Sequence, residues 1–189
     1  MALRANPLGR MVNNYLMKMG LPVAVWFIVE YLLRNAATRS LPLNLLIVPL
    51  MLLTPFIFFR VLRSLRREVL NDMMLGIQAW TFGVQLAFFA GVVEALFIYV
   101  YNQFLFPTAI ADNLQATTAL YEQMIAQLKE AGAYSSMWNT FDENLKTLNE
   151  LPVPTAIETA ISTLSNEIMM AMLYMVPLAF MLRKKPDMN

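Results

Sequence analysis

The sequence predicts an all-α integral membrane protein with four transmembrane helices and an outward-facing helical hairpin between the third and fourth. Three observations lead there. Of 189 residues, 58% are hydrophobic and only 14% are charged, against about 25% charged in an ordinary soluble domain. The missing charge leaves four long apolar runs, each near or above the roughly 20 residues that a helix needs to cross a bilayer. Lys and Arg gather in alternate connecting segments, the bias that sets the orientation of membrane proteins.

The first span, about residues 15–33, reads YLMKMGLPVAVWFIVEYLL, with Lys18 and Glu30 near its two ends. It is just long enough if Lys18 extends its ammonium to the interface. Its basic N-terminal flank resembles that of a signal peptide, and we read the run as a retained signal anchor. The second span, about residues 41–59, carries three prolines and no charge. Pro49 and Pro55 should kink it, each removing a backbone donor and crowding the preceding turn. The third run covers residues 73–106, with the span placed at about 75–106, and Glu94 is its only charge. As one helix it would be roughly 50 Å long at 1.5 Å per residue, so it must tilt or project from the bilayer. Tyr99, Tyr101 and Asn102 are expected to reach the interface. The insert, residues 108–153, is the only sizeable polar segment. Ile110, Leu114, Tyr121, Ile125 and Leu128 recur at helical spacing, Gly132 stops that helix, and Tyr134, Met137, Trp138, Phe141, Leu145 and Leu148 mark a second one. Their apolar faces pack together, lie on the membrane surface or dock a partner. Leu151 to Pro154 breaks the chain before the fourth span, about residues 159–182, which holds one charge, Glu167, and bends at Pro177.

Orientation follows the basic residues. Arg4, Arg10 and Lys18, then the loop residues Arg60, Arg63, Arg66 and Arg67, then Arg183 to Lys185 all fall on one side, which makes that side cytoplasmic. The insert has only Lys129 and Lys146 against six acids and faces the periplasm. Arg34 and Arg39, in the short first loop, are a mild exception. The topology is N-in and C-in, and residues 1–189 form a single membrane domain.

Polar residues inside spans are the candidate functional positions. Glu94 lies on a stripe with Gly76, Ala79, Gly83, Ala87 and Gly91. Gly83, Ala87 and Gly91 form a small-xxx-small series that permits close helix approach, so Glu94 should face another helix. It is either a protonated or hydrogen-bonded packing residue or a carboxylate that binds a proton or cation. Glu167, with Asn166 beside it, shares a broad face with Thr163, Met170 and Tyr174. By depth, Glu30, Glu94 and Glu167 are level in the outer half of the membrane, with Arg34 placed to pair Glu30 at i,i+4. Gln78, Thr81 and Gln85 fit interhelical hydrogen bonding. Thr155 and Glu158 have the spacing of a capping box. The four arginines from Arg60 to Arg67 serve as a topology signal or attract anionic lipid headgroups.

Three stretches carry a family likeness: the basic approach to the third span (RREVLNDMMLGIQAWTFGVQLAFF), that span's aromatic exit (IYVYNQFLFP) and the terminal RKKP. In them, and in layout across nearly the whole chain, the protein resembles the four-helix inner-membrane family called domain of unknown function 4199, found in Bacteroidota. The resemblance implies a bacterial inner-membrane location. It implies no activity and supplies no catalytic residues.

With no His and no Cys, the chain contains no His/Cys zinc site, disulfide, thiol nucleophile or Ser-His-Asp triad. We expect no catalytic residue, no cofactor and no metal site. A net charge of +1 gives no reason to expect a nucleic-acid partner. The partners expected are the lipid bilayer and a homo- or hetero-oligomeric membrane partner. The leading functional expectation is an accessory or structural subunit of a membrane assembly. The alternative is a small ion- or proton-coupled transporter using the intramembrane carboxylates. A membrane enzyme acting on lipid-linked substrates ranks third.

Overall fold

The computed structural model describes residues 7–38, 41–130, 135–150 and 152–184, without side chains for 41–46, 48, 135–139, 141 and 148. Arg4, Arg39, Gly132, Tyr134, Leu151, Lys185 and Pro186 therefore lie outside the described residues, as do the side chains of Met137, Trp138, Phe141 and Leu148.

Six helices follow in order: α1 (Pro7–Ala37), α2 (Leu41–Glu68), α3 (Gly76–Val100), α4 (Ala109–Glu130), α5 (Ser135–Glu150) and α6 (Ala156–Leu182). A π turn, Tyr101–Leu105, continues α3. Three helical stretches are long and apolar enough to cross a membrane: α1, α3 with its π turn, and α6. Their outer faces fit that reading. Leu96, Ile77 and Phe180 stay 65–68% exposed, which water would penalise and lipid does not.

The bundle is organised around α3, which packs most extensively on α6 and next on α1, while α2 leans on α1 and α6. Lipid offers no hydrophobic drive between helices, so close van der Waals approach must hold them, and small residues permit it. Gly83 faces the Met175 thioether so closely that an added Cβ would overlap it. A Cβ at Gly91 would sit 2.8 Å from Leu164 Cδ1, and one at Gly20 would sit 3.1 Å from Phe89 Cβ. Gly83, Ala87 and Gly91 are all buried. Aromatic rings close the other side: Phe27 of α1 stacks on Phe58 of α2 at 6.2 Å, and Phe58 meets Tyr174 of α6 edge-on at 5.2 Å.

The two ends differ. At one, here the basic end, Asn71 and Asp72 adopt positive φ (49° and 61°), a conformation that Asn and Asp tolerate best among non-glycine residues. This turn aims Asp72 at Arg66, whose Nε donates to it at 2.9 Å, and at the Lys184 ammonium. Arg66 also donates to the Leu182 carbonyl at 2.9 Å, and Met74 and Lys184 exchange backbone hydrogen bonds of 2.8 and 3.1 Å. The hydrogen bond and charge of Lys184, with those of Arg66, hold the Asp72 carboxyl below the usual carboxylate range. This clasp starts α3 at Gly76, three residues into the apolar run. The four arginines expected in a loop instead lie on the last turns of α2. Arg is a good helix former, and its charge complements a helix C-terminus. Arg66 is committed to the clasp, and Arg60, Arg63 and Arg67 are exposed.

At the opposite end, the insert end, α4 and α5 pack on each other, with Lys129 facing Asp142 at 3.8 Å. Thr38 ties α1 to α4 through a 3.3 Å hydrogen bond to Asn113. Thr155 caps α6 in the expected box: its backbone N–H donates to Glu158 at 2.8 Å, and the Glu158 N–H donates to the Thr155 hydroxyl at 3.3 Å.

Candidate functional site

A group of buried polar side chains lies within the bundle, toward the insert end. Glu30 comes from α1, where Arg34 stands one turn on along the same face. The Arg34 guanidinium donates to Glu30 Oε1 at 2.7 Å, and its Nη2 also lies 3.7 Å from Glu167 Oε1 of α6. The other Glu30 oxygen accepts from the Thr54 hydroxyl of α2 at 3.1 Å, and that hydroxyl accepts from the Trp26 indole N–H at 2.9 Å. Donors are thus passed along a line from Trp26 through Thr54 to Glu30, with Arg34 joining Glu30 to Glu167. The line uses Trp26, Glu30 and Arg34 of α1, Thr54 of α2 and Glu167 of α6.

Glu94 enters from α3. It is only 2% exposed, and its Oε2 has no hydrogen-bond partner among the described residues. It lies within electrostatic range of Glu167, Arg34 and Glu30. The small residues flanking it on α3 bring it close to α6. The Tyr174 hydroxyl, two turns beyond Glu167, is buried and unpartnered among the described residues. Two carboxylates therefore share one guanidinium with the third, Glu94, in electrostatic range, and the Arg34 side chain, 40% exposed, is the most exposed part of the group.

Not every candidate residue joins this group. Asn166 is exposed, because consecutive helical residues lie about 100° apart around a helix with 3.6 residues per turn, and burying Glu167 turns its neighbour outward. Met170 is exposed as well, so the broad face expected on the fourth span divides. Asn102, at the end of the third span, is buried between helices. Its Nδ2 donates to the Tyr31 hydroxyl and to the Ile98 carbonyl, both at 2.9 Å. The π turn re-aims this stretch, with the Phe106 N–H bonded to the Tyr101 carbonyl at 2.8 Å.

The polar residues in the half of α3 nearer the basic end have separate roles. Gln78 accepts from the Leu75 N–H at 2.9 Å, and Thr81 donates to its own helix at Ile77. Only Gln85 crosses to another helix, donating to Asn13 at 2.9 Å. No motif or spacing in the sequence singles out Thr54 or Trp26. The available signal was that Thr54 is the only hydroxyl in the second apolar run.

Among the described residues, no three acidic side chains converge closely enough to ligate a metal ion. The chemistry open to the group is proton exchange at a carboxylate and exchange of ion pairs around Arg34. Past the group, at the insert end, Asn35, Tyr101, Asp112 and Asn113 help to line a cleft of about 360 Å³.

The model of the family described as "Protein of unknown function (DUF4199)" matches residues 17–184, and the chain belongs to that family. No curated protein and no solved structure matches the chain.

Proposed function

We propose that this member of the DUF4199 family is a bacterial inner-membrane protein that exchanges protons at Glu94, as part of a small proton-coupled transporter. In this reading α2 is the fourth span, the basic end is cytoplasmic, both termini are inside, and α4 with α5 forms the periplasmic hairpin. The proposed topology puts the carboxylate group in the outer half of the bilayer. The observation that carries the proposal is the Glu94 carboxyl, buried within electrostatic range of Glu167, Arg34 and Glu30 with an oxygen that nothing described satisfies. An isolated carboxylate is costly in a low-dielectric interior and is neutralised by a proton. When that proton leaves, the nearest cation is Arg34, already shared between Glu30 and Glu167. Loss of the proton would therefore redistribute the guanidinium, which links a protonation event to the packing of α1, α3 and α6. The test is proton-driven flux in liposomes under imposed pH gradients. Glu94→Gln and Glu167→Gln should abolish it, and an absence of flux in the parent protein across varied gradients would sink the reading.

A second reading, the accessory subunit of a membrane assembly, draws support from α4 and α5, which pack on each other far more than on the bundle. A projecting pair of helices suits a docking arm. Purification in mild detergent should then yield a stoichiometric partner, and a lone monodisperse protein counts against it.

A further inference from the structure

A groove at the basic end lies well away from the carboxylates. It runs between the first turns of α3 and the last turns of α6, and Leu75, Ile77, Trp80, Val176 and Phe180 form its walls, with a volume of about 330 Å³. Its floor is open because Gly76 faces α6 without a side chain, a Cβ there lying 3.7 Å from the Ala179 carbonyl. Trp80 closes one side with its N–H spent on the Met172 carbonyl at 3.2 Å, so it offers an apolar ring rather than a donor.

Charge enters the groove at one place. Arg183 stands at its rim, exposed, with its guanidinium 5.8 Å from the Phe180 ring centroid. Among the described residues it makes no ion pair. The nearby Asp72 is held by Arg66 and Lys184. The first turn of α3, on the same rim, has no acidic residue, and its leading N–H groups carry the positive end of the helix dipole. The groove thus has apolar walls and a positive mouth, set where two membrane-length helices end.

We propose that this groove holds one anionic phospholipid, with an acyl chain between α3 and α6 and the phosphate against Arg183 and the amino end of α3. The charge complement selects the headgroup: a zwitterionic lipid brings its own ammonium to a site that is already positive, and an anionic one does not. The site is independent of the proton-exchange reading and rests only on α3 and α6 lying in lipid.

The test is native mass spectrometry of the full-length protein in detergent, titrated with equimolar phosphatidylglycerol and phosphatidylcholine. The parent protein should retain one phosphatidylglycerol in preference to phosphatidylcholine by about fivefold, the effect of one basic side chain near an anionic headgroup. Arg183→Gln should remove the preference, Arg183→Lys should restore most of it, and Arg63→Gln, a similarly exposed arginine outside the groove, should leave it unchanged. Ala179→Leu, which fills the floor, should reduce retention of both lipids. Equal retention of the two lipids by the parent protein, or an undiminished preference in Arg183→Gln, overturns the proposal. So does a loss of preference in Arg63→Gln equal to that in Arg183→Gln, which would mean that bulk basic charge is responsible.

Discussion

Thr54→Val probes the line of donors that holds Glu30. The substitution nearly preserves shape and deletes one hydroxyl, which accepts from Trp26 at 2.9 Å and donates to Glu30 at 3.1 Å. Thr54 is buried at 6% exposure, so water does not readily replace what is lost. Interhelical hydrogen bonds in membranes average about 0.6 kcal/mol each, which sets a floor near 1 kcal/mol for two. Hydrogen bonds to charged groups contribute about 1.5–3 kcal/mol, and leaving a buried donor unpaired costs about 1–3 kcal/mol. The added methyl recovers at most ~0.8 kcal/mol. The expected net loss is about 2 kcal/mol, read by equilibrium unfolding in mixed micelles. Thr54→Ser keeps the hydroxyl and should lose clearly less. If Thr54→Val unfolds within ~0.5 kcal/mol of the parent, a difference too small for two buried bonds, the hydroxyl does not support Glu30 and the reasoning fails.

Two further outcomes follow from packing and from the clasp. Gly83→Leu must push α3 from α6 where Met175 now fits, costing about 1–3 kcal/mol as overpacking does, while Gly83→Ala should cost less because the thioether end can swing aside; a thermal shift assay that ranks Leu equal to the parent refutes the tight interface. The Asp72 clasp should be fully formed above the ordinary carboxylate pKa and lost as pH falls through the lowered folded value, because Lys184 and Arg66 favour the ionised form. Hydrogen exchange across residues 72–76, taken relative to the intrinsic amide rate at each pH, should therefore accelerate only in acid. In Asp72→Asn it should be fast throughout, and an Asp72→Asn protein with parental protection would remove the clasp.

The apolar runs, the small-residue stripe and the capping box were all legible because each is a local pattern. Gly83, Ala87 and Gly91 recur at a helical period, and Thr155 and Glu158 have a fixed spacing. The i,i+4 pairing of Glu30 with Arg34 was legible for the same reason. What the sequence could not supply was azimuth and neighbour. Asn166 and Glu167 are adjacent in the chain and face different directions, and the choice is made by which residue the α3 surface accepts. The contact of Arg34 with Glu167 spans most of the chain and has no local signature. The π turn that buries Asn102 carries the polar pair Asn102 and Gln103, but a polar pair has no spacing that tells a π turn from a continuing helix. The arginines of α2 were misplaced into a loop because the apolar pattern ends at Phe59 while the helix continues to Glu68.

The bundle itself supplies the comparison that weighs packing against proton exchange. Toward the basic end, α1 and α3 are joined by Gln85 and Asn13, two neutral amides at 2.9 Å. That is an adequate polar tie, and it carries no charge to neutralise. Toward the insert end the same helices, with α6, present three carboxylates to one guanidinium that is itself 40% exposed. If a fixed tie were all that was needed there, glutamine would provide it at lower desolvation cost. Carboxylates add one property that amides lack, a change of charge with proton binding. Among the described residues Glu94 is the one carboxylate of the three without an ion pair, and it is in electrostatic range of the other two and of Arg34, so it is the position where a change of charge would be felt most by the helices around it. This contrast between two polar ties in one bundle is what favours proton exchange over packing, and Glu94→Gln separates them: a packing residue should tolerate that change with flux intact, and a proton-exchanging one should not.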